Sequence, residues 1–369
     1  MNFRPTRAII RLDFLKQNFK ILKALNNNLF ICPMVKANAY GHGSVEVSNA
    51  LIQAGATHLG VALVEEALVL RQQKINSDIL VFGGFDNQSV NQIVQHKLTP
   101  VIGTLENLKM LSMAGVAVNI HLKIDTGMHR MGILPEQVEQ AITLIKNSGK
   151  INLVGLATHL LSGHEASSSE AQLQKFDKAL LKFQNTNMVK HVFNSTGLLC
   201  SAKNHIQYGS RPGILLYGPC PNLPQQQLSQ FKQVMTLRTK VIRYHHLRPG
   251  DTVSYGATWT AQQESIIAVL PVGYADGVKR SLSNKGTVLF KNQKAKIVGT
   301  VCMDYTMIDV THIVGSGAAN SIALEEVTIF GYDSDNHFIS VQEMAEAAGT
   351  ISYEMMTGLG GRVPREFVQ

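Results

Sequence analysis

Short apolar runs alternate with amphipathic stretches through the first part of the chain. Phe14, Phe19, Leu22 and Leu25 recur at roughly helical spacing, and Asp13 stands where it can cap the helix they predict. Apolar runs predict strands at 30–35, 58–62, 79–82, 98–102, 117–124, 151–158, 190–193 and 206–209. Helical patterns lie between them, at 44–54, 64–74, 87–96, 105–114, 135–147, 170–185 and 196–203. Eight short strands separated by helices argue for a parallel sheet closed into a (β/α)8 barrel, an α/β fold.

The pattern changes after Gly218. Pro219, Pro221 and Pro224, with glutamines at 225–227, read as a linker. Strand signals dominate beyond it, at 234–243, 265–272, 287–290, 295–301, 305–310 and 326–330. Turns fall at Pro249-Gly250, Tyr255-Gly256, Asp276-Gly277 and Lys285-Gly286, and one amphipathic helix at 341–348 interrupts them. The expected organisation is a barrel over residues 8–225 and a mostly β region over 226–369. A length of 369 residues is comfortable for two domains.

Composition narrows the partners. The net charge of +8, with 13 histidines besides, suits an anionic small molecule or a nucleic acid. The basic residues are scattered and form no run, so nucleic acid is not expected. Cys32, Cys200, Cys220 and Cys302 show no CxxC spacing, so neither a disulfide frame nor a metal site is expected. Arg4, Arg7, Arg11, Asp13 and Lys16 leave no room for the apolar core of a signal peptide. No apolar run approaches the ~20 residues of a membrane span. A soluble cytoplasmic protein is expected.

The chemistry gathers at the strand ends. Lys36 follows the run 30–35, and Ala37 and Ala39 leave room beside it for a ligand. Tyr40 comes four residues on, and Gly41 and Gly43 permit close backbone approach. A lysine partly withdrawn from water loses its proton more easily and can act as an amine nucleophile. Lys123, Asp125 and Arg130 follow the fifth run, Thr158-His159 the sixth and Asn194-Ser195 the seventh. Arg211, Gly213 and Ile214 follow the eighth. Barrel enzymes place their chemistry at this end of the strands. Taken singly, each of these residues reads as an ordinary surface cation, core histidine or turn.

Taken together they resemble the alanine racemase family. The segments VKANAYGHG (35–43), HLKIDTGMHRMG (121–132), THLLSG (158–163), FNSTG (193–197), SRPGILLYG (210–218), VSYGATW (253–259), PVGYADG (271–277), GTVCMDY (299–305) and RVPREF (362–367) match it in order and spacing. The resemblance spans nearly the whole chain. One departure is His129, where the family usually has a smaller residue, often glycine.

The resemblance implies pyridoxal 5′-phosphate (PLP) held as a Schiff base on Lys36. It implies a two-base racemisation of L- and D-alanine, with Lys36 serving one face and Tyr255 the other. His159, linked to Arg211, would activate the tyrosine. Arg211 would face the pyridine nitrogen and, as a pure donor, keep it unprotonated. Tyr40, Ser195, Gly213, Ile214 and Tyr353 would surround the phosphate, with Asn194 beside them. Arg130 would reach the cofactor and the substrate carboxylate, and Met303 would offer that carboxylate a backbone N–H. Lys123 matches a lysine that many members carry as a carbamate. The resemblance further implies a homodimer in which Tyr255 and Met303 reach the opposite subunit's site. The first seven residues would join the β region, and the product D-alanine would serve peptidoglycan. Three other readings use the same residues: a racemase of broader specificity, a barrel-type amino-acid decarboxylase, and a non-catalytic PLP-binding barrel. Arg211 and Cys302-Met303-Asp304 stand where the decarboxylases carry a glutamate and a Cys-Glu motif, and the long β region with Tyr255 argues against the last.

Overall fold

The computed structural model describes residues 4–27, 29–184, 187–218, 220, 223, 225–314 and 324–369. The first strand, β1 (Arg7–Arg11), belongs to the second sheet. Seven parallel strands then follow in spatial and chain order: β2 (His58–Val61), β3 (Asp78–Val81), β4 (Thr99–Ile102), β5 (Val118–Lys123), β6 (Ile151–Ala157), β7 (Val189–Phe193) and β8 (Gly209–Ser210). Helices stand between them, among them Ser44–Gln53, Val64–Gln72, Asn87–Gln95, Leu105–Ala114, Val138–Ser148 and Ala166–Leu180. Strands covered in this way are buried on both faces, which is why they read as continuous apolar runs. Ile79, Leu80 and Val81 of β3 are each at most 1% exposed.

Segment 30–35, expected as the first barrel strand, lies between β8 and β2 and closes the ring. It is reduced to single parallel bridges, Ile31 to Ser210 and Met34 to Gly60. The Cys32 and Met34 N–H groups donate to the carbonyls of Ser210 and Pro212, both at 2.9 Å. Val35 N–H donates to Gly60 O at 2.8 Å on the other side, and Gly60 N–H to Pro33 O at 2.9 Å. Pro33 has no N–H to give, so a regular ladder cannot form there. The last strand, expected at 206–209, is shifted and shortened to β8. Gly209 there approaches Phe30 so closely that a Cβ would overlap its carbonyl oxygen.

Two further expectations are corrected. Asp13 does not cap the first helix, Leu12–Leu25. It lies inside the first turn, where its charge suits the helix N-terminus, and its carboxylate pairs with Arg11 at 2.9 Å. Pro219, Pro221 and Pro224 lie outside the described residues. The glutamines after them do not form open linker but enter a single helical turn, Gln225–Leu228.

The second region is a sheet built from β1, β9 (Met235–Lys240), β10 (Arg243–Leu247), β13 (Ser265–Leu270), β14 (Thr287–Phe290), β15 (Gln293–Ile297), β16 (Thr306–Asp309), β17 (Glu326–Tyr332), β18 (Phe338–Ile339) and β19 (Arg365–Val368). A separate pair, β11 (Thr252–Val253) and β12 (Trp259–Thr260), flanks Tyr255. β1 runs antiparallel to β9 and parallel to β19, so the chain's first strand is pinned inside the C-terminal sheet. Asp276, fully buried, adds a second tie. Its carboxylate accepts from Arg4 at 2.5 Å and from Arg362 at 3.0 Å, and it draws the loop 273–277 against the backbone of Cys302 and Met303. No helix among the described residues is long and apolar enough to cross a membrane.

Candidate active site

Lys36 leaves the ring where segment 30–35 ends, and the backbone then does something unusual for L-residues. Ala37, Asn38, Ala39 and Tyr40 all have positive φ, between 51° and 54°. They make one turn of left-handed helix. Each such residue costs about 1–2 kcal/mol, so the turn must be held from outside. Glu66 accepts the Ala37 N–H at 2.6 Å with one oxygen and the Ala62 N–H at 2.8 Å with the other. His42, fully buried, meets the carbonyls of Ala39 and Tyr40 through Nδ1 at 3.0 and 2.9 Å. Burial pushes its pKa down to about 3, so it stays neutral and donates. Arg365 of β19 donates to Gly41 O at 3.1 Å. Gly41 itself lies against Met356 so closely that a Cβ would overlap the Met356 carbonyl.

The turn aims Lys36 and Tyr40 into a cavity of about 520 Å³. Lys36, Lys123, Arg130 and Arg211 all line it, with His159, Asn194, Ser195, Thr196 and Tyr353, and no carboxylate among the described residues lines it. The consequence is electrostatic. Desolvation, then the Arg130 charge, lowers the pKa of Lys36. Desolvation, then Arg211 and Arg130, pushes that of Lys123 down to about 8. The nearest acids are occupied elsewhere: Glu66 as described, and Asp125 by the N–H groups of Gly127 and Met128 at 2.9 and 3.0 Å.

Arg211 follows β8 and is 5% exposed. Every partner it has is neutral. Nη1 donates to His191 Nδ1 at 2.6 Å and His191 O at 2.5 Å; Nη2 donates to Thr158 O at 2.6 Å and His159 Nδ1 at 3.1 Å. Nε has no protein acceptor among the described residues. At the other end of the cavity Ser195 Oγ accepts from Gly213 N–H at 3.0 Å and Leu215 N–H at 3.3 Å. Asn194 caps the short helix Ser195–Cys200 by accepting Gly197 N–H at 2.8 Å. A Cβ on Gly213 would overlap the Tyr40 hydroxyl. Glycine there leaves a cradle walled by Tyr40, Ser195, Ile214 and Tyr353. Two hydroxyl-bearing rings and a serine at one end, and an arginine at the other, fit a phosphate-bearing aromatic ring with a hydrogen-bond-accepting nitrogen, of the PLP kind.

Eleven of the expected site residues meet in this cavity: Lys36, Tyr40, Lys123, Arg130, His159, Asn194, Ser195, Arg211, Gly213, Ile214 and Tyr353. Tyr255 and Met303 do not line it within the same chain. They stand 74% and 52% exposed on the β region. Tyr255 is nonetheless firmly held. Ser254 before it takes φ of 68° and donates to Thr300 O at 2.6 Å, while Thr300 Oγ1 donates to Tyr255 O at 2.8 Å. Glu66 and His191 were not singled out from sequence. Glu66 was hidden in an ordinary helical pattern. His191 sits in an apolar strand, where one inward polar residue was the only signal.

A parallel barrel joined to a β sheet, with a lysine-centred cationic cavity at the strand ends, defines a class of barrel enzymes that carry a β domain. Comparison with known proteins narrows it. Residues 10–221 match the family model for the alanine racemase N-terminal domain, and residues 234–367 that for the C-terminal domain. The alanine racemase of Clostridium novyi (strain NT) is 36% identical over 379 residues, covering 100% of this chain and 96% of that one. The crystal structure of alanine racemase from D-cycloserine-producing Streptomyces lavendulae superposes with a TM-score of 0.91 at 29% identity, covering 100% of this chain and 98% of the other. That from Bartonella henselae, solved with covalently bound pyridoxal phosphate, gives 0.88 at 26% identity over 99% of each chain. The chain belongs to the alanine racemase family, PLP-dependent isomerases.

His129 now has a physical account. Its φ is 53°, in the left-handed region that glycine occupies freely. The side chain is 77% exposed and lies 3.9 Å from Asp125, too far and too wet to offset much strain. His129→Gly is expected to raise stability by up to about 1 kcal/mol, the strain relief less the extra chain entropy of glycine. Urea denaturation measures this; a loss of stability would show that the Asp125 contact outweighs the backbone strain.

Proposed function

We propose that the protein interconverts L- and D-alanine by a two-base reaction on PLP. The observation that carries this reading is a cavity with four cationic side chains and no carboxylate among the described residues, one of the four a lysine of lowered pKa. Lys36 would hold the cofactor covalently, the cradle of Tyr40, Ser195, Gly213, Ile214 and Tyr353 its phosphate, and Arg211 its ring nitrogen. When bound, the cofactor supplies the electron sink that makes the Cα proton of alanine acidic. An arginine at the ring nitrogen moderates that sink, which favours prompt return of the proton over side reactions.

Lys36 Nζ would take or give the proton on one face, and the Tyr255 phenol of a second copy on the other. A free tyrosine titrates near pH ~10, so it needs help. Arg211 can only donate, so His159 Nδ1 accepts and His159 Nε2 carries the ring proton. That N–H is free to stabilise a phenolate. Arg130 and the Met303 N–H, the latter also from the second copy, would bind the substrate carboxylate. The exposure of Tyr255 and Met303 on a rigid part of the β region supports a homodimer with shared sites. The two family domains meet between residues 221 and 234, in keeping with a division near residue 225. D-alanine made in the cytoplasm would supply peptidoglycan.

Lys123 would carry a carbamate. The neutral amine is the reactive form, so carbamate should rise as pH rises through about 8. A carbon-13 resonance after incubation with labelled bicarbonate, absent in Lys123→Ala, checks this; a lysine that never takes label would refute it.

The two-base reading is tested by complementation. Lys36→Ala and Tyr255→Ala should each be inactive in forming D-alanine from L-alanine with PLP present. Mixed in equal amounts after dissociation and reassembly, they should return about a quarter of native sites, because only one site of each heterodimer is intact. No recovery despite demonstrated heterodimers would place Tyr255 in its own subunit's site or outside the mechanism.

A further inference from the structure

Below Arg211 the barrel interior holds an imidazole pair where branched aliphatic side chains usually fill such cores. His121 of β5 and His191 of β7 are 3% and 0% exposed, with ring centroids 4.9 Å apart. Phe30 packs on both rings, at 5.9 and 4.9 Å. Room for His121 comes from Gly155, its register partner on β6, where a Cβ would overlap the imidazole. The core is thus shaped around a polar side chain. Buried polar groups are costly unless paired, and leucine in their place would pack without that cost.

The pair is satisfied in one direction only. Arg211 Nη1 lies 2.6 Å from His191 Nδ1 and can only donate, so Nδ1 is unprotonated. The proton of neutral His191 is therefore on Nε2, which donates to His121 Nδ1 at 2.7 Å. His121 in turn carries its proton on its own Nε2. Burial and the Arg211 charge keep both rings neutral, pushing His121 down to about 3 and His191 well below its ordinary value.

We propose that His121 is a positioning residue for the reaction: by accepting from His191 Nε2 it anchors the imidazole that holds the Arg211 guanidinium at the cavity. The proposal rests on the reading of Arg211 as the partner of the cofactor ring nitrogen. Without an acceptor at His121, the His191 Nε2–H is left buried and unpaired, and the imidazole turns to find another acceptor, which draws Nδ1 away from Arg211. The guanidinium then loses a partner and turns.

The test uses holoenzyme with nitrogen-15-labelled histidine. NMR should find His191 protonated on Nε2 and bare on Nδ1. His121→Asn keeps an acceptor near the Nδ1 position, whereas His121→Leu removes it. The leucine variant should lose roughly 5–30-fold in kcat, the usual effect of one buried donor left unmatched, with KM for alanine little changed and the His191 Nδ1 resonance moved toward that of a nitrogen that accepts no hydrogen bond. The asparagine variant should regain most of the lost rate. A wild-type His191 protonated on Nδ1, or equal kcat in the two variants, overturns the proposal. If the leucine variant fails to fold, the wild-type tautomer and the asparagine variant still decide. Replacing Arg211 itself reports separately: an unchanged kcat there would sink the reading of Arg211 while leaving the His191 tautomer standing.

Discussion

Positive charge gathered in one cavity organises this protein. Lys36, Lys123, Arg130 and Arg211 line one cavity, and no carboxylate among the described residues shares it. Charges gathered out of water raise the energy of the folded chain unless something answers them. Part of the answer is internal: the lysine pKa values fall, and Arg211 is wrapped in neutral acceptors. The remainder calls for an anion. A carbamate on Lys123, a phosphate at the hydroxyl-lined end and a carboxylate near Arg130 supply it in the proposed reaction. Bound by neutral acceptors through Nη1 and Nη2, Arg211 keeps Nε without a protein partner among the described residues, as the proposed contact with the ring nitrogen requires.

The fold provides the geometry that this charge distribution needs. A left-handed turn after Lys36 is an expensive way to leave a strand, and it persists because several elements hold it at once. Glu66 comes from the neighbouring β/α unit, His42 from the turn itself, and Arg365 from the last strand of the C-terminal sheet. That last contact joins the β region to the lysine loop. β1 and Arg4 reinforce the union by tying the start of the chain into the same sheet. The barrel and the sheet therefore share the task of aiming Lys36, and the sheet separately presents Tyr255 outward.

Much of this was legible in the residues. Periodicity located every barrel strand to within a few residues, because buried parallel strands are continuous apolar runs. The strand-end rule then gathered Lys36, Lys123, His159, Ser195 and Arg211 into one ring. Local geometry was not legible. Nothing in Ala37-Asn38-Ala39-Tyr40 announces left-handed backbone, since three of these residues ordinarily avoid it; contacts with Glu66 and Arg365, distant in sequence, help His42 to make it stable. Segment 30–35 read as a strand, but Pro33 reduces it to bridges. The direction of the Arg211–His191–His121 bonds depends on residues that meet only across the barrel.

The central claim is that a cation-lined cavity without acids holds PLP with its ring nitrogen unprotonated against Arg211. Reconstitution of the enzyme with PLP labelled with nitrogen-15 in the ring, followed by NMR at neutral pH, tests this directly. The account predicts the resonance of an unprotonated pyridine nitrogen that accepts a hydrogen bond. A protonated, pyridinium-type resonance would contradict it.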